Sequence, residues 1–376
     1  MEKSYYYEII ERFLPQLILS VVEKLNERHT GALSYLFKER LTPVYSDDGR
    51  WASLKGEYTR IAADIISMDS ELPFKSRDVI EIATGKIPKI GMKFWLGEKE
   101  VKKIDNMIRS GRPIAQIVAT IFQDLPRCIE GVWERLEDVF LSELSTGIGI
   151  AERSGAVGLR LDVGYMDENR FGASVLWSTP NVSTPISDFQ KVFDKAAADQ
   201  NVITDIWMDD AALINFYKST EAREQYAFGM NFAGDKIPTL GFNQAAEVIN
   251  KTWTGVTLHR VARQIKTELN YKKQNHTPWK SGMVVFTCNE KLGDLVWTDC
   301  VEASRPVAGV AYTSVGNSTA TALNGQNISG VDEYILTSHY HKNDPWREFT
   351  SSQAMVVPII SNVDQIYTLD TKTVQA

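Results

Sequence analysis

The residues most able to do chemistry are few. Two of the five histidines stand in one tripeptide, His339-Tyr340-His341. Alternate residues of a strand project to one face, so the two imidazoles can begin a metal site. The sequence indicates no third or fourth ligand, and histidines on the surface of a β segment are the simpler reading. Asp209 and Asp210 end a strand-like run, VITDIWMDD. Carboxylates at a strand end can hold magnesium, but one of them can equally cap a helix beginning at Ala211. Cys128 sits at a helix start, where a thiol pKa can fall; beside an apolar stripe it reads instead as an inert packed thiol. Ser145 and Ser154 lack a G-x-S-x-G context. Gly147 and Gly149 in STGIGIAERSGAVG follow a helix, whereas a dinucleotide loop follows a strand. That segment reads as a connector or hairpin. An α/β enzyme would need distant residues such as Asp209, His259 and His339 to converge in one pocket.

Charge points the same way. Lys99, Lys102, Lys103 and Arg109 cluster but are interrupted by Glu100 and Asp105, as on a solvated helix of alternating charge. The aromatic residues form no base-stacking module, and no groove-reading element stands out. The 376-residue chain has a formal net charge of -7, opposite to that of a protein with a broad basic grip on nucleic acid. With 43% apolar residues, it can build one large or two moderate domains. Cys128, Cys288 and Cys300 form no CxxC pair or disulfide framework, which suits buried thiols in a reducing compartment. The start, MEKSYYYEIIERFLPQLI, lacks a signal-peptide core. The apolar runs are too short for a membrane span. No residue set calls for a cofactor.

The elements that would position these residues follow from periodicity. Residues 4–40 read as helical, with Ile9, Phe13, Leu17, Val21 and Leu25 in one stripe and a second short face at Leu33, Leu36 and Phe37. VIEIATG and PKIGMKFWL read as two strands joined across Thr84, Gly85 and Lys86, a ribbon that needs another surface to hold it. Residues 97–146 are the strongest helical region. In CIEGVWERLEDVFLSEL, Ile129, Val132, Trp133, Leu136, Val139, Phe140 and Leu144 recur at three- and four-residue intervals. Glu130, Glu134, Arg135, Glu137 and Asp138 fill the opposite faces. GLRLDVGY and FGASVLW suggest a short β pair. Residues 184–275 read as a compact α/β unit, with Thr184 as a cap and Pro185 in the first helical turn. SGMVVFTCNE reads as a central strand in a strand-rich C-terminal third, and Pro358 suggests an edge or a bulge.

Large, well structured and chemically quiet, the chain is suited to assembly through shape. ADIISMDSELPFKSRD, IATGKIPKIGMKFWLGEKE, RCIEGVWERLEDVFLSELSTG, SGMVVFTCNEKLGDLVWT and NDPWREFTSSQAMVVPIISNVDQIYTLDTKTVQA together resemble the major capsid proteins of tailed bacteriophages, in particular the group found in phages and prophages of Bacteroidales bacteria. The likeness lies in order over most of the chain, not in catalytic motifs.

The resemblance implies an α+β fold, the tailed-phage and herpesvirus-type major capsid fold. Its parts would be an N-terminal arm (1–45), an extended β-hairpin loop (46–96), a peripheral domain with a long spine helix (97–183), an axial domain (184–310) and returning peripheral-domain strands (311–376). It implies a non-enzymatic chain that forms hexamers and pentamers and closes into an icosahedral shell in the host bacterial cytoplasm. Its partners would be further copies of itself, a separate scaffolding protein, a portal, and packaged double-stranded DNA held without sequence-specific contacts. No membrane is implied. Within the extended loop, Ile65, Ile66, Met68, Asp69, Glu71, Leu72, Phe74, Lys75 and Arg77 are the expected intersubunit contacts. An encapsulin-like nanocompartment shell is the nearer alternative, and an uncharacterised α/β enzyme the more distant one.

Overall fold

The computed structural model describes residues 4, 6–28, 34–55, 81–151, 159–231, 238–269, 272–305, 311–316 and 331–375. The chain begins with helices α1 (Tyr7–Arg28) and α2 (Leu36–Arg40), then strands β1 (Leu41–Tyr45), β2 (Arg50–Lys55), β3 (Glu81–Lys86) and β4 (Lys89–Leu96). Helices α3 (Glu98–Arg109), α4 (Ile114–Ile121) and α5 (Leu125–Thr146) follow, then strands β5 (Ile148–Ala151), β6 (Leu159–Asp162) and β7 (Arg170–Ala173). The next stretch holds α6 (Pro185–Ala198), β8 (Asp205–Asp209), α7 (Asp210–Lys218), α8 (Thr220–Gly229), α9 (Phe242–Thr252) and β9 (Thr257–Val261). The last contains β10 (Ile265–Leu269), β11 (Lys272–His276), β12 (Met283–Thr287), β13 (Gly293–Thr298), α10 (Val301–Ser304), β14 (Ala311–Gly316), β15 (Val331–Lys342), β16 (Arg347–Ile360) and β17 (Ile366–Val374). Two compact units divide the chain: Met1–Trp51, Gly85–Glu137 and Leu295–Pro358 form one, and Ala52–Thr84, Asp138–Asp294 and Ile359–Ala376 the other.

The first unit is organised by a six-stranded sheet in the order β1-β13-β16-β15-β14, with β4 also paired to β16. Strand β16 takes β15 and β4 as antiparallel partners over nearly the same residues, 347–354 and 348–355. This corrects the expected ribbon. Strands form at Glu81–Lys86 and Lys89–Leu96 within these expected runs, but β3 pairs with β2 and β4 joins the sheet. An eight-residue register on β16 gives β4 a full ladder that a short local hairpin could not. Pro358 lies near the end of β16, beyond the registers with β15 and β4, which end at Ala354 and Met355. It can therefore lack an N–H without breaking either ladder. Helix α3 buries Val101 and Ile104 and keeps Lys99, Lys102, Lys103 and Arg109 exposed, as alternating charge requires.

The second unit contains a five-stranded sheet in the order β7-β17-β12-β8-β9. The outer pairs β7–β17 and β8–β9 are parallel; β12 runs antiparallel to both β17 and β8. Strand β12 is central, as MVVFT suggested, and all five of its residues are buried. The expected pair of GLRLDVGY with FGASVLW does not form: β6 pairs with β5, closing a hairpin after α5, and β7 pairs with β17. Phe189, Phe216 and Phe286 meet in the core with Trp177, Phe189 and Phe286 edge to face at 5.2 Å. Such rings supply large buried area together with a preferred geometry.

Local chemistry sets the helix ends. Thr184 occupies the N-cap of α6 and Pro185 its first turn, but the Thr184 side chain makes no capping bond. Glu221 from α8 accepts instead, from Ile186 N at 2.7 Å and Ser187 N at 3.2 Å. Helix α5 stops at Gly147, whose φ of +76° lies in the left-handed region, and whose N–H donates to the Glu143 carbonyl. That is the usual glycine-terminated end. Gly293 is constrained differently: a Cβ there would collide with the Ile359 carbonyl oxygen and lie 2.7 Å from Ser361 N. Both neighbours are backbone atoms and cannot turn aside. Gly293→Ala is therefore expected to destabilise the fold by about 1–3 kcal/mol, the usual cost of overpacking. Chemical denaturation of the variant measures it, and unchanged stability would contradict the close approach.

Candidate functional site

The nine expected intersubunit contacts, Ile65, Ile66, Met68, Asp69, Glu71, Leu72, Phe74, Lys75 and Arg77, lie outside the described residues. The catalytic and metal candidates can be followed individually. Asp209 is the helix cap: its Oδ1 accepts from Ala212 N at 3.0 Å, and its Oδ2 from Gly282 N at 3.1 Å. Asp210 faces Arg260 in a two-point pair, 2.5 Å and 3.0 Å. The hydrogen bond from the guanidinium holds the Asp210 carboxyl below its ordinary range. Both side chains are about half exposed, so this pair adds little stability. Neither carboxylate is left to organise a magnesium ion.

His259 is committed in the same way. Its Nε2 lies 2.5 Å from Asp205 Oδ1, and its ring stacks on Trp207 with centroids 4.0 Å apart. Trp207 in turn donates to Thr287 Oγ1 at 3.1 Å. Asp209 and His259 belong to the second unit and His339 to the first; each is bound into its own local network.

His339 and His341 share a face, as alternation requires, but they are buried rather than on the surface. The reason is Glu348, fully buried on the paired strand β16. His339 Nε2 lies 3.2 Å from Glu348 Oε2, and its Nδ1 lies 3.0 Å from Thr350 Oγ1. Both ring nitrogens of His339 are thereby occupied. His341 places Nε2 2.6 Å from Asn343 Oδ1 and Nδ1 3.6 Å from Glu348 Oε1. The cluster pairs both nitrogens of His339 and Nε2 of His341, while His341 Nδ1 makes no hydrogen bond among the described residues. Among the described residues, no group of three or more His, Cys, Asp or Glu side chains is placed to hold a metal ion.

The thiols behave as packing groups. Cys128 is fully buried at the start of α5, and burial pushes its pKa up to about 12. Ser145 is also buried: its hydroxyl donates to the Ser142 carbonyl and accepts from Lys280 N. It has no histidine beside it among its described bonds. The surface carries apolar groups instead. Phe228 is 85% exposed and Met230 56%, at the end of α8, a helix that sequence periodicity did not single out. Val202 is 76% exposed. Isolated exposed apolar groups are ordinary; nothing in their arrangement suggests a reaction.

A second feature missed in the sequence is a row of buried carboxylates on α5. Glu137 and Asp138, expected on its polar faces, are 1% exposed, and Glu143 is fully buried. Glu137 accepts from Leu36 N at 3.2 Å and Phe37 N at 3.1 Å, capping α2. Asp138 lies 3.2 Å from His276 Nε2. Glu143 Oε1 accepts from Ile360 N at 3.0 Å, and its Oε2 accepts from no described group. Burial pushes the Glu143 carboxyl up to about 8. Between the ordinary carboxyl range and that value the folded chain holds a proton that the unfolded chain has lost. Stability from this residue is therefore present at low pH and lost as pH rises toward 8. Glu143→Gln should flatten the decline in melting temperature between about pH 5 and 8 and leave the variant more stable than the original chain above it. Melting curves across that range test this, and parallel declines in both proteins would refute it.

No known protein family matches the chain, and no curated protein matches it in sequence. Solved structures do. The protein assigned as the capsid protein of a prophage of E. coli CFT073 aligns with a TM-score of 0.53 at 13% identity, over 93% of this chain and 98% of that one. A phage-related protein from Bordetella bronchiseptica RB50 aligns with a TM-score of 0.48 at 10% identity, over 95% and 99% of the two chains. The capsid of cyanophage A-1(L) aligns with a TM-score of 0.48 at 10% identity, over 90% and 92%. At such identities likeness speaks of fold alone, and the first comparison, with its TM-score above 0.5, shows it: the chain has the α+β fold of that prophage protein.

Proposed function

We propose that the protein is the major capsid protein of a tailed phage, of the kind carried by Bacteroidales phages and prophages, and that it has a structural rather than a catalytic role. The observation that carries this reading is the fold shared with the prophage capsid protein over 93% of this chain and 98% of that one. Among the described residues, candidate catalytic groups are bound into local networks, and no helix is long and apolar enough to cross a membrane. In this reading copies form hexamers and pentamers and close an icosahedral shell around double-stranded DNA. A scaffolding protein and a portal act as separate partners. Residues 1–45 are the arm, 46–96 the extended loop, and α5 the spine helix of a peripheral domain covering 97–183. Residues 184–310 are the axial domain, and 311–376 return to the peripheral domain.

The extended loop is the main reaching element of this scheme. Ile65, Ile66, Met68, Leu72 and Phe74 supply apolar area, worth roughly 1.5–3 kcal/mol for each large side chain fully buried. Asp69, Glu71, Lys75 and Arg77 set register, at about 0–1 kcal/mol for each exposed pair. Small terms repeated at every contact close a shell.

Electron microscopy of the expressed protein tests the function. Shells or ring-shaped capsomers are expected; a protein that stays monomeric under all assembly conditions would overturn the reading. Shells filled with protein cargo, from a locus without terminase, portal or tail genes, would instead indicate an encapsulin-like compartment. For the loop, Arg77→Glu is expected to abolish particles while leaving the thermal unfolding of the dissociated subunit unchanged. Equal loss of folded subunit and of particles would remove Arg77 from the interface.

A further inference from the structure

Strands β10 and β11 stand apart from both large sheets as a two-stranded ribbon. Their register sets Ile265 opposite His276, Lys266 opposite Asn275 and Glu268 opposite Lys273. The root is anchored: Ile265 is buried, and His276 reaches Asp138 at 3.2 Å. Beyond it the ribbon is bare. All five residues of β11 are exposed, as are Lys266 and Glu268. A lone ribbon is marginally stable in water, and its two edges offer unpaired backbone donors and acceptors.

The charge on the ribbon selects what can cover it. Lys266, Lys272 and Lys273 against Glu268 give a formal +2, in a chain of -7, leaving -9 for all other residues. Strand alternation puts Lys266 and Lys273 on one face, either side of Glu268. Lysines on an exposed edge discourage indiscriminate strand pairing, so the selected partner has to bring negative charge. A second copy of this chain does. Nucleic acid is the poorer fit: two net charges, with a carboxylate between two of the lysines, release few counterions from a duplex.

We propose that the ribbon of β10 and β11, residues 265–269 and 272–276, is an intersubunit limb, whose Lys266 and Lys273 face docks on carboxylates of a second copy. The inference rests on the capsid reading in supposing that copies meet in a repeating assembly, and it adds a contact separate from the 46–96 loop. Two measurements test it. In the first, Lys266→Glu/Lys273→Glu is expected to lower particle yield at least tenfold by sedimentation and microscopy, with unchanged unfolding of the dissociated subunit. In the second, equal amounts of ¹⁴N- and ¹⁵N-labelled unsubstituted chain are assembled together and coupled with a carbodiimide. Mixed-isotope peptides joining Lys266 or Lys273 to an Asp or Glu are expected. This arm decides the question even if the doubly substituted chain fails to fold.

Particles of normal yield from the variant, with same-isotope links only, would overturn the limb and leave the shell reading standing. Mixed-isotope links through these lysines without any particles would support the limb as a self-association surface and overturn the shell. No particles and no mixed links would overturn both. Shielding of Lys266 and Lys273 from acetylation by added double-stranded DNA, but not by assembly, would assign the face to nucleic acid and overturn the limb.

Discussion

Placing three carboxylates inside the core is the constraint on which much of this structure depends. Helix α5 buries Ile129, Val132, Trp133, Leu136, Val139, Phe140, Leu141 and Leu144, and Glu137, Asp138 and Glu143 go inside with them. A buried carboxylate must find donors, find a cation or keep its proton. The three are placed differently. Glu137 takes two backbone N–H groups from the first turn of α2, which needed acceptors of their own. Asp138 faces an imidazole at the root of the β10–β11 ribbon. Glu143 holds its proton and accepts one backbone bond from the end of β16. Within the first unit the start of α2 is thereby tied to Glu137, and within the second unit Ile360 is tied to Glu143. Apolar packing would tolerate sliding; hydrogen bonds with fixed directions do not.

Sequence reasoning found α5 because its apolar residues are dense and regular. It could not find the burial of Glu137 and Asp138, because periodicity identifies one apolar face and treats the remainder as solvated. A helix packed on several sides breaks that assumption. Position 221 shows a related gap. The cap of α6 comes from Glu221, 37 residues after Thr184, although Thr184 and Pro185 look like a complete local start signal. His339 and His341 were placed on one face correctly but on the wrong side of the surface, since the deciding group, Glu348, lies on a partner strand.

Strand pairing was the least legible part. The sequence marks β3 and β4 as strands separated by a turn-like break, the pattern of a hairpin. The actual partners are β2, before a long intervening segment, and β16, more than 250 residues away. Local signals report that a segment is extended and say little about which edge it will join. By contrast a cap was expected from Asp209 or Asp210, and Asp209 supplies it, because capping needs only three residues of sequence. The intersubunit candidates follow from resemblance, since no periodicity or motif in 65–77 marks them as contacts. The ribbon of β10 and β11 drew no notice in the sequence: Lys266, Glu268, Lys273 and Asn275 make one face wholly polar, a pattern that matters only once its isolation is seen.

All three cysteines are withdrawn from reaction. Cys128 and Cys300 are buried, Cys288 is partly so, and burial pushes their thiols up to about 12, 11 and 12 respectively. Thiolate, the nucleophilic form, is then nearly absent at neutral pH. The unaltered protein should therefore ignore maleimides and mild oxidants, and one cysteine introduced on an outer face would be a solitary chemical address. Dyes, spin labels or antigens could be attached there at one per chain without first removing the native sulfur.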